Sequence, residues 1–286
     1  MTETLLSPVP PETVPAVPRV MGVLNLTPDS FHAPSRAASV DDALARALRM
    51  EEEGAAVIDL GGESTRPGAA PVDGEEELRR VLPVVEALVR RLRVPVSVDT
   101  SKAEVAARAL DAGASILNDV TALRGDPAMG AVALRYPTVI LMHMRGTDPR
   151  TMQEGPRYRD VVAEVAAFLA ERLSAFEALG GSRERVWLDP GICFGKTLEH
   201  NLALFAGLET LSGLGRPLVV GASRKSFLGR LLPAGKPAGP EARLEGSLAA
   251  AARAAAAGVA FVRAHDVAET TRFLSAWAAL FPRRDA

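Results

Sequence analysis

Eight short apolar runs, rich in β-branched residues, punctuate this chain, and each is followed by a loop and then by a segment of helical period. That alternation constrains the fold more than any other feature. Strands separated by helices run parallel, because the helix carries the chain back to the starting edge of the sheet, and such crossovers are right-handed. The runs are Val20–Asn25, Ala56–Leu60, Pro95–Asp99, Ser115–Asn118, Thr138–Met142, Val186–Asp189, Leu218–Gly221 and Val259–Arg263. Between the first two, Ala43, Leu44, Ala47 and Leu48 fall on one helical face, with Ser39 as the expected N-cap and Gly54 as the stop. Val161–Gly181 has the same period and also stops at glycine. Pro233–Pro240 reads as a loop between two helices.

No composition break or long linker divides the 286 residues. Eight strand–helix units in one undivided chain predict an α/β fold, a single-domain (β/α)8 TIM barrel, which takes roughly 250 residues. An open, doubly wound sheet is the second choice, but Asn25–Phe31 (NLTPDSF) follows the first strand in place of a glycine-rich turn. Residues 1–18 form a proline-rich N-terminal arm, since Pro8, Pro10, Pro11, Pro15 and Pro18 remove N–H groups that a helix or central strand needs. The barrel is expected over 19–286.

Several function classes fall away at once. Acids and bases are interleaved and sum to a net charge of -2, so there is no basic stripe for nucleic acid. Neither the arm nor the alanine-rich stretch near Ala249–Val262, which holds Arg253 and Gly258, suits a signal peptide or a membrane span. The one cysteine, Cys193, excludes an intrachain disulfide and fits a reducing cytoplasm. Four histidines without a paired spacing make a zinc site a poor expectation.

What ends each apolar run is more informative. In order the runs close on Asn25, Asp59, Asp99, Asn118 with Asp119, Met142 with His143, Asp189, Ser223-Arg224-Lys225, and Arg263 with His265. Asp and Asn often cap the helix that follows, which explains any one such ending. It explains the whole set poorly, because a barrel brings these ends together on the face where its active sites lie. Asp59, Asp99, Asn118 and Asp189 then form an acceptor wall suited to a flat ligand edge rich in N–H groups, such as a 2-aminopyrimidinone. Arg224, Lys225, Arg263 and His265 form a basic wall, and Arg66 adds a cation on a glycine- and proline-punctuated loop. Lysine is scarce: of 33 basic residues only Lys102, Lys196, Lys225 and Lys236 are lysines. Lys102 is expected at a helix start, and Trp187 and Phe261 in the core.

The words around these endings resemble the dihydropteroate synthase family. They are VMGVLNLTPDSF (Val20–Phe31), IDLGGESTRPGA (Ile58–Ala69), VSVDTSK (Val96–Lys102), ILNDVTAL (Ile116–Leu123), LMHMRG (Leu141–Gly146), LDPGICFGK (Leu188–Lys196), GASRKSFLG (Gly221–Gly229) and RAHDV (Arg263–Val267). The family joins 6-hydroxymethyl-7,8-dihydropterin diphosphate to p-aminobenzoate and releases pyrophosphate. The resemblance implies a (β/α)8 barrel and Asp99, Asn118, Asp189, Lys225 and Met142 on the pterin. It implies Asn25, Arg263 and His265 on the diphosphate, with Mg²⁺ near Asn25, and Asp59 in the same polar network. Phe31, Thr65, Arg66, Pro67, Phe194, Ser223, Arg224 and Ser226 would frame p-aminobenzoate, whose carboxylate meets Ser226 and a short helix starting near Ser223. A cytoplasmic homodimer is implied as well. A pterin-binding methyltransferase shares the barrel and the acidic grip but is not expected to carry STRPGA and SRKS together. A non-catalytic pterin-binding paralogue would keep the pterin wall alone. One departure points its way: His32-Ala33-Pro34-Ser35 stands where the family continues Ser-Asp-Gly-Gly.

Overall fold

Strand and helix alternate from Arg19 to Leu280 in the computed structural model, which describes residues 17–26, 36–64, 69–146, 148–149, 151–231 and 239–282, with side chains of the first helix from residue 40 onward. The strands are β1 (Arg19–Asn25), β2 (Ala55–Gly61), β3 (Val96–Asp99), β4 (Ile116–Asp119), β5 (Thr138–Met142), β6 (Val186–Asp189), β7 (Val219–Gly221) and β8 (Phe261–Ala264). The described helices are α1 (Arg36–Glu52), α2 (Gly74–Arg91), α3 (Ala103–Asp111), α4 (Met129–Ala133), α5 (Val161–Ala178), α6 (Leu198–Ala206), α7 (Leu208–Ser212), α8 (Ser226–Leu231), α9 (Leu244–Ala256) and α10 (Val267–Leu280). Every strand pairing is parallel, in the order β6-β5-β4-β3-β2-β1-β8-β7. The ring closes where Leu188 bridges Leu218 and its N–H bonds the Pro217 carbonyl at 2.9 Å.

All eight expected strands are present, and two, β5 and β6, have the expected bounds. The last begins two residues late, at Phe261, because the Val259 N–H still closes α9 by bonding the Ala254 carbonyl at 3.1 Å. The first helix corrects an expectation: it starts at Arg36, so Ser39 lies inside it and not at its cap. Arg36, Ala37 and Ala38 are good helix formers and extend it by a turn. Gly54, at φ +98°, ends that helical segment as expected. The α5 cap is Asp160, whose Oδ1 accepts the Val162 and Ala163 N–H groups at 3.0 Å each. Of the expected 233–240 loop, residues 233–238 lie outside the described residues, as do residues 1–16 of the arm.

Two apolar layers hold the barrel. One lies between strands and helices, where Leu24, Leu60, Val81, Leu88, Leu117, Leu141, Leu169 and Phe176 are buried. The other plugs the interior and consists of Met21, Val57, Ile116, Ile140, Trp187, Val219, Ala260 and Phe261. Trp187 stacks on Phe261 with centroids 4.2 Å apart, as core residues. Side chains alternate along a strand, so the residue two places beyond each plug position points inward one layer higher. For five of the plug positions those residues are Asp59 after Val57, Asn118 after Ile116, Met142 after Ile140, Asp189 after Trp187 and Arg263 after Phe261. The fold thus sets a polar layer directly on a dry floor.

Candidate active site

Arg263 is the centre of that polar layer. Its Nε donates to Asp59 Oδ2 at 2.6 Å and its Nη2 to Asp99 Oδ2 at 2.9 Å, joining β8 to β2 and β3. Asn118 Nδ2 donates to the same Asp59 oxygen at 3.2 Å. Burial opposes the Arg263 charge, but Asp59 and Asp99 outweigh it and push the guanidinium above its usual range. Asp99 is raised from 3.8 to about 7, chiefly by burial, with Arg263 pulling it back and Asp59 adding to the rise. Asp59 is fully buried, and its other oxygen, Oδ1, has no partner. A buried acceptor left open is costly unless something supplies a donor.

Asp189 stands on the opposite side of the ring. Its Oδ1 accepts the Gly191 N–H at 2.7 Å, which fixes the carboxylate at the mouth of the β6–α6 loop. Burial raises its pKa, while the Gly191 bond and Lys225 lower it. Lys225 Nζ donates to the Ile192 carbonyl at 2.8 Å and lies 4.3 Å over the Phe194 ring. Burial lowers the Lys225 pKa. Phe194 belongs to a small buried cluster with Val120, Met142, Met144 and Met152. Asn25 ends β1 half-buried, beside Gly61 across the β1–β2 pair.

The β7 and β8 exits are tied together. The Ser223 hydroxyl accepts the His265 N–H at 3.1 Å and lies 3.1 Å from its Nδ1. Arg224 turns toward the surface, with Nη2 to Asp266 Oδ1 at 2.5 Å, Nε to Oδ2 at 3.1 Å and Nη1 toward Glu241 at 3.4 Å. It does not join the carboxylates around Arg263. The neighbouring helix, α8, starts at exposed Ser226 and not near Ser223, because residues 222–225 form a turn closed by the Lys225 N–H on the Ala222 carbonyl at 3.1 Å. Phe31, Thr65, Arg66, Pro67 and the His32–Ser35 departure lie outside the described residues.

Some side chains near this face carry weight that the strand-end pattern did not assign. Asp119 points away from its neighbour Asn118 and anchors the next turn, accepting from the Thr121 N–H and hydroxyl at 2.8 and 2.7 Å and from the Leu123 N–H at 2.8 Å. Lys102, at the start of α3 as expected, bridges Glu63 and Glu77 at 2.5 Å each. Lys196 is buried against His143. The scarcity of lysine was the available signal for the last two.

The arrangement offers a row of acceptors over a dry floor, one fixed guanidinium and the partly buried ammonium of Lys225. It can grip the N–H edge of a flat heterocycle and hold negative charge beside it. For Mg²⁺, Asn25 supplies one hard oxygen, and among the described residues no three His, Cys, Asp or Glu side chains are grouped for a metal. Mg²⁺ keeps waters and takes few protein ligands when substrate phosphates bind it, so this donor set fits an ion held mainly by a diphosphate. Among the described residues no helix is long and apolar enough to cross a membrane.

Residues 21–265 match the family model described as pterin binding enzyme. The chain is 49% identical over 253 residues to the dihydropteroate synthase of Escherichia coli strain K12, which covers 88% of each protein. It is similar to two structures of Xanthomonas albilineans dihydropteroate synthase. The complex with 4-aminobenzoic acid has 47% identity and a TM-score of 0.83, covering 92% of this chain and 93% of that one. The complex with 7,8-dihydropteroate has 44% identity and a TM-score of 0.82, covering 94% and 95%.

Proposed function

The chain belongs to the dihydropteroate synthase family of pterin-binding enzymes, and from that membership we propose how its pocket is divided between two substrates. The reaction is the condensation of 6-hydroxymethyl-7,8-dihydropterin diphosphate with p-aminobenzoate to give 7,8-dihydropteroate and pyrophosphate. The observation that carries the division is the buried acceptor layer over the apolar plug, with one Asp59 oxygen still open. Asp99, Asn118 and Asp189 take the N–H edge of the pterin, Met142 packs on its ring, and Lys225 donates to its carbonyl and ring-nitrogen side. Asp59 completes the layer and keeps Arg263 aimed across the pocket.

Arg263 uses Nε and Nη2 on Asp59 and Asp99. Its remaining N–H groups, with His265 and Asn25, hold the diphosphate. Asn25 would also ligate Mg²⁺, which when bound supplies positive charge to the leaving group. As the C–O bond breaks, the electron-rich dihydropterin carries the developing methylene cation, and Arg263 and His265 stabilise the charge that builds on the diphosphate. The neutral aniline nitrogen then attacks, and no covalent intermediate on the chain is needed. Phe194, Ser223, Ser226 and Arg224 frame p-aminobenzoate together with Phe31, Thr65, Arg66 and Pro67. Arg224 acts there indirectly, by bracing the loop against Asp266.

In this reading residues 19–286 are one barrel domain behind the 1–18 arm. A cytoplasmic location is supported by the single cysteine, a free thiol. A homodimer is carried over from the resemblance, and sedimentation of the purified protein tests it. The reaction itself is tested by mixing both substrates with and without Mg²⁺. Dihydropteroate and pyrophosphate should form only in the complete mixture. Pterin binding with no pyrophosphate release would replace this reading by a non-catalytic pterin-binding protein.

A further inference from the structure

The loop from Gly191 to Gly195 gives all five of its carbonyl oxygens to side-chain donors. Gly191 and Phe194 accept from the Lys196 ammonium at 2.9 and 3.0 Å. Ile192 accepts from Lys225 at 2.8 Å, Cys193 from the Gln153 amide, and Gly195 from the Tyr158 hydroxyl at 3.0 Å. Loop carbonyls usually bond backbone or water. Here the chain is bent to present them, with Gly191, Cys193 and Gly195 at φ of 65°, 70° and 68°. The bend is also packed tightly. A Cβ on Gly191 would stand 1.8 Å from the His143 carbonyl oxygen, and one on Gly195 would stand 2.4 Å from Arg145 Cβ.

Lys196 sits at the centre of this loop and is only 4% exposed. Its third partner is His143 Nδ1 at 2.8 Å. Burial, with Lys196 adding to it, depresses the His143 pKa to about 3, so the imidazole is neutral and Nδ1 can accept. Burial also lowers the Lys196 pKa to about 7. No carboxylate is bonded to this ammonium among the described residues. A charged group enclosed by three neutral acceptors is an expensive way to fill space. What it accomplishes is geometric. The same loop begins at Asp189, supplies the acceptor for Lys225 and carries the Phe194 ring that lies under that lysine.

We propose that Lys196 is a positioning residue for the reaction, holding the Gly191–Gly195 loop in the one shape that sets Asp189, Phe194 and Lys225 in mutual register. This rests on the division of the pocket above, in which those three side chains meet the substrates. Lys196 touches neither substrate and acts through the loop.

A double-mutant cycle with Lys225 tests it. Lys196→Met should raise the dissociation constant for the pterin about tenfold, the effect of leaving acceptors unpaired, with a smaller change in kcat. Lys225→Met should raise it as well. The double variant should lose less than the two single losses combined, because one of the groups that Lys196 positions is already gone. Additive losses would overturn the proposal, since general destabilisation does not interact with one side chain in the pocket. If Lys196→Met does not fold, Tyr158→Phe, which removes the donor to Gly195, runs the same cycle with the same criterion and an expected loss of about threefold. Unchanged pterin affinity in Lys225→Met would sink the division of the pocket. Loss in Lys225→Met with none in Lys196→Met would sink the positioning role alone.

Discussion

Two regions of this pocket hold buried cations by opposite means. On the β2–β3–β8 side, Arg263 lies between two carboxylates at 2.6 and 2.9 Å. On the β6–β7 side, Lys196 and Lys225 are held by backbone carbonyls. Full charges keep the guanidinium ionised at every working pH, while carbonyl dipoles only partly replace water, so burial lowers both lysines. The paired region therefore keeps its guanidinium charged and fixed in direction, with N–H groups left over for a further acceptor. The dipole-held region has shape: Lys196 gathers the loop and Lys225 rests against it. A fixed fork suits the first task, and a compact ammonium with three rotatable donors suits the second.

The strongest test of the contrast is Arg263→Ala. Turnover should fall by roughly one to three orders of magnitude, as expected for losing a stabiliser of developing charge. Asp59 and Asp99 also lose their cation, which moves Asp99 further upward and weakens its grip at neutral pH. Pterin without the diphosphate should bind less well near pH 7 and recover as pH rises, while turnover stays low. Full recovery of turnover with pH would show that Arg263 serves only to ionise the acceptor wall.

Next in size is Asp189→Ala on the other side. Ligand N–H groups lose their acceptor at a cost of about 1–3 kcal/mol, or roughly 5- to 150-fold in pterin affinity. The Gly191 N–H loses its partner too, so p-aminobenzoate should weaken with the pterin. Calorimetry on a folded variant that shows pterin binding intact removes Asp189 from the site.

The titration of Asp99 gives a smaller effect with two opposite signs. Its carboxyl stands at about 7 in the folded chain against 3.8 for the free group. Protonation thus stabilises the free enzyme: the contribution is full below 3.8 and is lost as pH rises through about 7. A ligand N–H needs the ionised form, so pterin affinity should climb across the same range, by about tenfold between pH 6 and pH 7 at most. Asp99→Asn should flatten both trends. A variant that keeps the wild-type slope in thermal melts and in binding would assign the titration to another group.

The smallest effect concerns a fourth cation, outside both regions. Lys102 is held like Arg263, by Glu63 and Glu77, but outside the pocket, where Glu63 also accepts the Val72 N–H at 3.1 Å. Glu63 and Val72 flank Thr65–Pro67 in sequence, so this pairing ties the two ends of a loop proposed for p-aminobenzoate. Glu63→Gln should raise KM for that substrate about two- to fivefold, the size of a partly exposed ion pair, and leave pterin affinity unchanged. An equal change in both constants would make the strap a general support of the barrel.

By itself the sequence determined the barrel and the identity of its polar layer. Eight apolar runs separated by helical segments admit few parallel topologies, and strand period two places Asp59, Asn118, Asp189 and Arg263 on one face wherever the plug residues are buried. These are local rules, so short stretches of sequence carry them. Which partner each polar group takes is not local. Arg263 and Asp59 are 204 residues apart and meet only because β8 closes against β1 beside β2. Asn118 and Asp119 look alike in sequence, yet strand geometry sends one into the pocket and the other to a turn. Arg224 and Lys225 are likewise adjacent cations, and a positive φ at Arg224 sends them to different partners, Asp266 and Ile192. Lys196 shows the limit most clearly, since its partners are backbone carbonyls and a ring nitrogen. Every residue has a carbonyl, so no residue type marks where one will turn toward a buried charge. Only the folded chain, by excluding water and bending the loop, decides it.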